Sequence, residues 1–247
     1  MKKNIILLLL FLPFVSISQT NDTLKTKSNY AKTDTLKKGK FEIGLSFSPD
    51  YDYRKLKSDA SSQAITDIRD TMETAKFGFS AGLNLAYHIN KRLLVETGLL
   101  FSDRGEKTKK VSFSDVPSGQ LPIYYTYKYH YLYLDIPLKV DYYILTGKLK
   151  LFATAGVSGN IFLTQKTTLI QGHDNGNQER TVSTNDSGFN RLSISMLAGL
   201  GLNYQITNNL KLQIEPIYRR SLTSIVNTPI KSYLYAAGIN LGLYFNL

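Results

Sequence analysis

The residues of this chain that could carry chemistry are three histidines and a set of carboxylates and cations that recur in step. His88, His130 and His173 are scattered, and no Gly-x-Ser-x-Gly elbow accompanies them. Acyl transfer or hydrolysis at a lipid surface would need a base within hydrogen-bond reach of a nucleophile. His130 and Ser102 are the pair to weigh for that, and nothing in their spacing joins them, so no catalytic residue is expected. The run Gly172-His-Asp-Asn-Gly-Asn-Gln-Glu179 is rich in oxygen ligands. It lacks the Asp-x-Asp-x-Asp-Gly spacing and distal Glu of a calcium loop, so it reads as a polar loop and implies neither metal nor cofactor.

The charged residues say more. Glu42, Glu96, Asp135, Asp141 and Glu215 fall on the polar parity of segments in which apolar and polar residues alternate, as do Arg92, Lys139, Lys150, Arg191, Lys211 and Arg219. If that parity faces a narrow interior, these charges must pair, because an isolated buried ion costs several kcal/mol. A salt-bridge network that plugs the interior is the expectation; a proton or ion relay is the sharper alternative.

The elements that would position these charges are strands, since successive strand side chains point to opposite faces. In residues 129–163 two long alternating segments flank a tight Thr146-Gly147 turn. His130, Leu132, Leu134, Ile136, Leu138, Val140, Tyr142 and Ile144 share one parity of the first segment. Leu149, Leu151, Ala153, Ala155, Val157, Ile161 and Leu163 share one face of the second. Soluble strands usually stop after about five or six residues, and these run well past that. Similar segments are expected at 41–53, 76–89, 92–104, 190–206, 210–220 and 233–247, which makes eight. Tight turns at Asn90-Lys91, Thr146-Gly147 and Asn208-Asn209 alternate with longer polar loops near 54–75, 105–125, 165–189 and 221–232.

An even strand number, one continuous apolar face and short turns on one end describe an all-β, eight-stranded antiparallel up-and-down transmembrane β-barrel. Its apolar face would meet lipid, and both termini would lie on the short-turn, periplasmic side. Side chains fill so narrow a barrel, and glycines such as Gly44, Gly78, Gly98 and Gly201 on the polar parity would make room for Tyr131, Tyr133 and Phe152. That argues against an aqueous pore. Tyr124, Tyr125, Tyr127 and Tyr129, completed by Tyr233 and Tyr235, are expected to form an aromatic girdle at headgroup depth.

The N-terminus and composition fit an exported chain. Lys2 and Lys3 precede an apolar run from Ile5 to Val15, and Ser16-Ile17-Ser18 supplies small residues for cleavage before Gln19. Residues 1–18 are therefore expected to be a signal peptide, and 41–247 the barrel. Residues 19–40 are polar, Lys-rich and without apolar period, and read as a disordered basic periplasmic lead-in. Within it Asp-Thr-Leu occurs twice and resembles the acceptor site of a periplasmic O-glycosylation system, which would modify Thr23 and Thr35. The chain has no Cys and no Trp, 17 Tyr, 12 Phe and a formal charge of +11. The positive charge lies in the tail and the interior rather than on one face, so nucleic acid is not an expected partner.

Tyr131-Leu-Tyr-Leu-Asp-Ile-Pro-Leu-Lys-Val-Asp-Tyr142 resembles the signature strand of the PorT-like outer-membrane β-barrel family, with Asp135, Ile136, Pro137, Leu138 and Lys139 matching its pattern. The C-terminal Leu241-Gly-Leu-Tyr-Phe-Asn-Leu247 is similar to the signal read by the barrel-insertion machinery, with Phe245 two residues before the end rather than last. The resemblance covers roughly residues 40–247 and implies fold and outer-membrane location. Expected partners are outer-membrane lipid, the insertion machinery and an envelope protein or polymer. A structural or interaction role is expected, with a PorT-like secretion component, a lipid-modifying barrel enzyme and a soluble lipocalin-like binder as alternatives.

Overall fold

The computed structural model describes residues 40–113 and 122–247. Thr23, Thr35 and the expected signal peptide lie outside them. In chain order the elements are β1 (Phe41–Lys57), a 3-10 turn (Ala60–Ser62), α1 (Gln63–Met72), β2 (Glu73–His88), β3 (Leu93–Thr108), β4 (Val111–Ser112) and β5 (Tyr124–Tyr143). There follow β6 (Leu149–Gly172), β7 (Gln178–Thr184), β8 (Leu192–Gln205), β9 (Leu210–Ser221) and β10 (Lys231–Asn246). Pairing runs β1-β2-β3-β5-β6-β8-β9-β10 and returns to β1, every neighbour antiparallel. The closing seam is continuous, with Glu42 opposite Asn246 and Lys57 opposite Lys231. Closure gives every backbone donor and acceptor of the wall a partner, which a lipid environment demands.

The faces sort as the alternation requires. Along β1 burial alternates at every residue, with Glu42, Gly44, Ser46, Ser48, Asp50 and Asp52 inside and Phe41, Ile43, Leu45 and Phe47 outside. Among the described residues no helix is long and apolar enough to cross a membrane; crossing is the work of strands. The three short turns form where expected. Asn90 closes one by accepting from the backbone N–H groups of Arg92 and Leu93 at 2.8 and 2.9 Å. Gly147 turns another with φ +151, a value that disfavours any side chain.

The long-loop end differs from the expectation. β1, β2, β3, β5 and β6 all continue beyond the segments read from the sequence. α1 occupies part of the 54–75 loop, and β6 with β7 occupies much of the 165–189 loop. β4, β5, β6 and β7 form a sheet standing beyond the wall. The outer ends of β5 and β6 are mostly half-buried on both parities and β7 is exposed throughout, so they need no apolar alternation, whereas the extension of β1 keeps Arg54 and Leu56 buried. Register shifts sit at this end too, between Ala75 and Phe79 of β2 and at Leu132/Tyr133 of β5, where bulges bend a barrel rim.

Three expectations for individual residues are corrected. Tyr125, Tyr127 and Tyr129 lie on the parity of Tyr131 and Tyr133, which are buried; they face the lumen side rather than lipid, because a strand cannot turn adjacent odd-numbered residues to opposite faces. Arg92 and Arg191 are exposed. Each immediately precedes the strand it was assigned to, so the pleat does not orient it. The membrane-facing rings instead comprise Tyr51, Tyr53, Phe77, Tyr218, Tyr233 and Tyr235 toward the long loops, and Phe41, Tyr87, Tyr142, Tyr204 and Phe245 toward the short turns. In β1 the rings are about ten residues apart, which at ~3.3 Å per residue and a tilt of ~40° gives a band about 25 Å tall.

Candidate functional site

The interior is packed with ion pairs in tiers. Nearest the short turns, Lys211 pairs with Glu42, whose other oxygen lies 2.7 Å from His88 Nε2. The Lys211 ammonium also stands 4.4 Å from the centroid of the Tyr244 ring. In the next tier Lys139 bridges Glu96 at 2.9 Å and Glu215 at 3.1 Å. Tyr244 donates to Glu96 at 3.0 Å, and Asn240 donates to Glu215 at 2.8 Å. Beyond them Arg219 pairs with Asp50 at 2.8 Å and Arg104 with Asp135 at 2.5 Å. Ser102 and Asn160 donate to Asp135 at 2.8 and 2.6 Å. At the long-loop mouth Arg54 holds Glu73 at 2.5 Å and Glu106 at 3.1 Å, and Tyr131 donates to Glu106 at 2.7 Å.

Sequence reasoning thus placed Glu42, Glu96, Asp135, Asp141, Lys139, Lys211, Glu215 and Arg219 inside, where they are buried. Asp141 accepts from Thr154 at 2.6 Å rather than joining an ion pair. Lys150 is half-buried at the short-turn mouth, 5.3 Å from the Tyr143 ring. Missed were Asp50, Asp52, Arg54, Glu73, Arg104 and Glu106. Most were legible by carrying the parity of Glu42 and Glu96 a few residues further, through Asp50, Asp52 and Arg54 in β1 and through Arg104 and Glu106 in β3.

Aromatic side chains fill what the ions leave, and glycines admit them. A Cβ on Gly201 would stand 2.2 Å from the Phe152 ring, and one on Gly44 would stand 2.5 Å from Tyr244. Tyr131, Tyr133, Phe162, Ile225 and Leu234 form an apolar cluster toward the long loops. At mid-barrel, beside Lys139 and Glu96, lies a cavity of about 20 Å³, room for about one water.

The wider spaces are at the two mouths. A cavity of about 610 Å³ at the short-turn end is lined by Lys40, His88, Lys91, Arg92 and Lys150. A cavity of about 240 Å³ at the other end lies among Arg54, Arg69, Tyr129, Gln165 and Phe189. The loop beside it is fastened by Asp186, which accepts from the Gln165 N–H at 3.0 Å and from Thr164 at 2.8 Å. Those bonds hold the Asp186 carboxyl below the usual carboxylate range. Above this mouth Phe113, Tyr125, Tyr127 and Tyr129 form an aromatic ladder, with successive centroids 5.5, 5.7 and 6.3 Å apart.

The acyl-chemistry pair is not assembled. Ser102 points inward onto Asp135. His130 stands on the opposite parity, its Nδ1 2.8 Å from Asp103, which also takes Lys76 at 2.9 Å. The wall of the barrel separates the two side chains.

A sealed eight-stranded wall, oily outside, ionic inside and ringed by aromatics at both edges, defines an outer-membrane β-barrel. The chain matches the outer membrane protein beta-barrel domain over residues 19–227. It belongs to that family, and its location is the outer membrane. No curated protein matches it. Among solved structures it is similar to Neisserial surface protein A, at 15% identity and TM-score 0.46 over 84% of this chain and 97% of that one. It is also similar to OprG from Pseudomonas aeruginosa, at 14% identity and TM-score 0.43 over 85% and 97%, and to the attachment invasion locus protein Ail of Yersinia pestis, at 14% and 0.38 over 84% and 99%. With those scores below 0.5, the family match and the wall itself carry the assignment.

Proposed function

We propose that this barrel is a non-conducting, non-enzymatic anchor that presents its long-loop sheet to a partner outside the cell, with both termini in the periplasm. The observation that carries the reading is the filled lumen: with space for about one water at mid-barrel, what the protein does it does at its ends. The sheet of β4, β5, β6 and β7 continues about 15–20 Å past the aromatic ring, taking ~3.3 Å per residue and the strand tilt. It offers the aromatic ladder and a fully exposed β7. Aromatic rings are enriched where proteins meet partners. At the opposite end the basic mouth around Lys91 and Arg92 suits an acidic envelope polymer or protein. Residues 1–18 as a signal peptide and 19–40 as a basic lead-in complete this reading. Leu241, Leu243 and Phe245 project from β10 toward lipid, available to the insertion machinery before the barrel closes.

A PorT-like secretion component is the second reading, resting on Asp135 to Lys139. In this barrel those residues have structural work: Asp135 holds Arg104, Lys139 joins Glu96 to Glu215, and the Pro137 carbonyl accepts from Thr97 at 2.8 Å. Planar-bilayer recording of the refolded chain is expected to show no steady conductance; open single channels would end the anchor reading. Crosslinking through photoreactive residues at 125 and 127 on whole cells should capture an external partner. Capture of secretion machinery instead would select the second reading.

A further inference from the structure

Just beyond the outer aromatic ring, β1, β10 and β9 carry cations that face away from the lumen. Lys55 and Lys57 continue the lipid-facing parity of β1 past Tyr51 and Tyr53, and Arg220 continues that of β9 past Tyr218. In the register Lys55 stands opposite Tyr233, Arg220 opposite Tyr235, and Lys57 opposite Lys231. Their chain neighbours on the lumen parity, Arg54 and Arg219, hold Glu73 and Asp50. Among the described residues Lys55, Lys57, Arg220 and Lys231 form no ion pair. Among the described residues the Lys57 ammonium meets the Tyr233 ring, at 5.3 Å. Like charges directly opposite on a sheet repel, so Lys57 facing Lys231 is an arrangement that an anion between them would relieve.

The surroundings are those of an amphiphile. A groove of about 210 Å³ is lined by Lys55, Lys57, Arg220 and Tyr233 together with Met196 and Leu222. Both apolar side chains are exposed. Lys55 lies about two residues past the ring, roughly 5 Å further out, where headgroups begin. Asp70 belongs to α1, which joins β1 to β2 beyond Lys57, and among the described residues it pairs with none of the four cations. Ile65, Ile68 and Met72 lie on one face of that helix and are exposed, as a helix resting in a headgroup layer would have them.

We propose that this face binds the phosphorylated headgroup of an outer-leaflet glycolipid, with Lys55, Lys57, Arg220 and Lys231 around the phosphate and Met196 and Leu222 against the upper acyl chains. The choice of leaflet rests on the orientation proposed above. The test uses the full chain refolded in detergent and titrated with fluorescent lipid A, its dephosphorylated form, and phosphatidylglycerol. Phosphorylated lipid A should bind at least tenfold more tightly than either of the others. The variant Lys55→Gln/Arg220→Gln/Lys231→Gln should lose about fivefold per cation removed. Lys148→Gln, at the other rim, should bind as the parent does. Heat-modifiable gel mobility checks that each variant is folded. Equal binding of dephosphorylated lipid A, or undiminished binding by the triple variant, overturns the site; equal binding of phosphatidylglycerol overturns the choice of glycolipid. Protease shaving of intact cells at residues 173–177 tests orientation separately, because the detergent titration does not depend on it.

Discussion

Tyr244 and Phe245 are adjacent aromatic residues near the end of the last strand, and they live in opposite worlds. Tyr244 is fully buried, donating to Glu96 and covering Lys211, whereas Phe245 is 46% exposed on the outer face. The same contrast repeats around the wall. Inside, most charged side chains are held by specific partners, although both carboxylate oxygens of Asp52 lack a hydrogen bond, so identity and geometry matter. Outside, the requirement is greasiness at the right height, which many residues meet. The barrel therefore concentrates its specificity on the lumen side, and the two faces should respond to substitution by different rules.

The largest effect is expected at Lys139. Replacing it with Met leaves Glu96 and Glu215 buried without their shared cation, and breaking such a pair costs about 3–5 kcal/mol. Urea titration of the variant in liposomes should show that loss, whereas Val140→Leu, one residue along on the outer face, should stay within about 0.5 kcal/mol. Equal effects would erase the distinction between the faces. A charge in the wrong half comes next: Leu45→Arg, midway between the aromatic rings, should cost about 2–4 kcal/mol, and the same assay would expose a lumen-facing Leu45 by a much smaller penalty or a rescue by salt. Overpacking is smaller again. Gly201→Ala pushes a methyl into the Phe152 ring and should cost about 1–3 kcal/mol. Most of that should return in the double variant with Phe152→Leu, and purely additive losses would show that the two do not touch. Smallest is Tyr127→Ala in the half-buried ladder above the wall, expected to shift stability by no more than about 1 kcal/mol while weakening partner crosslinking.

How much of this was legible follows from the same contrast. Where one face meets lipid, alternation is enforced, and the eight wall strands, their short turns and most of the lumen charges can be read directly. Beyond the ring both faces meet water or loops, and the enforcement lapses. The outer end of β6 and the strand β7 left no period-two trace for that reason, while α1 carries Ile65, Ile68 and Met72 at helical spacing, a signal that a search for strands passes over. Register shifts near Phe79 and Tyr133 then interrupt simple counting. Tyr125, Tyr127 and Tyr129 show the opposite failure: their parity was plain from Tyr131 and Tyr133, but aromatic composition suggested a girdle and overrode it. Partner choice in the lumen, such as Lys139 of β5 with Glu215 of β9, depends on which strands face one another across the barrel, information that no single segment holds.

The chain contains no Trp, which makes one measurement unusually direct. Single-Trp variants Phe47→Trp and Phe101→Trp, on the outer face, and Phe152→Trp and Phe162→Trp, in the lumen, can be refolded into bilayers with brominated acyl chains. Strong quenching at positions 47 and 101 with little at 152 and 162 is the predicted result. Quenching at 152 and 162 with protection at 47 and 101, or equal quenching at all four, would contradict an oily exterior around an ionic core.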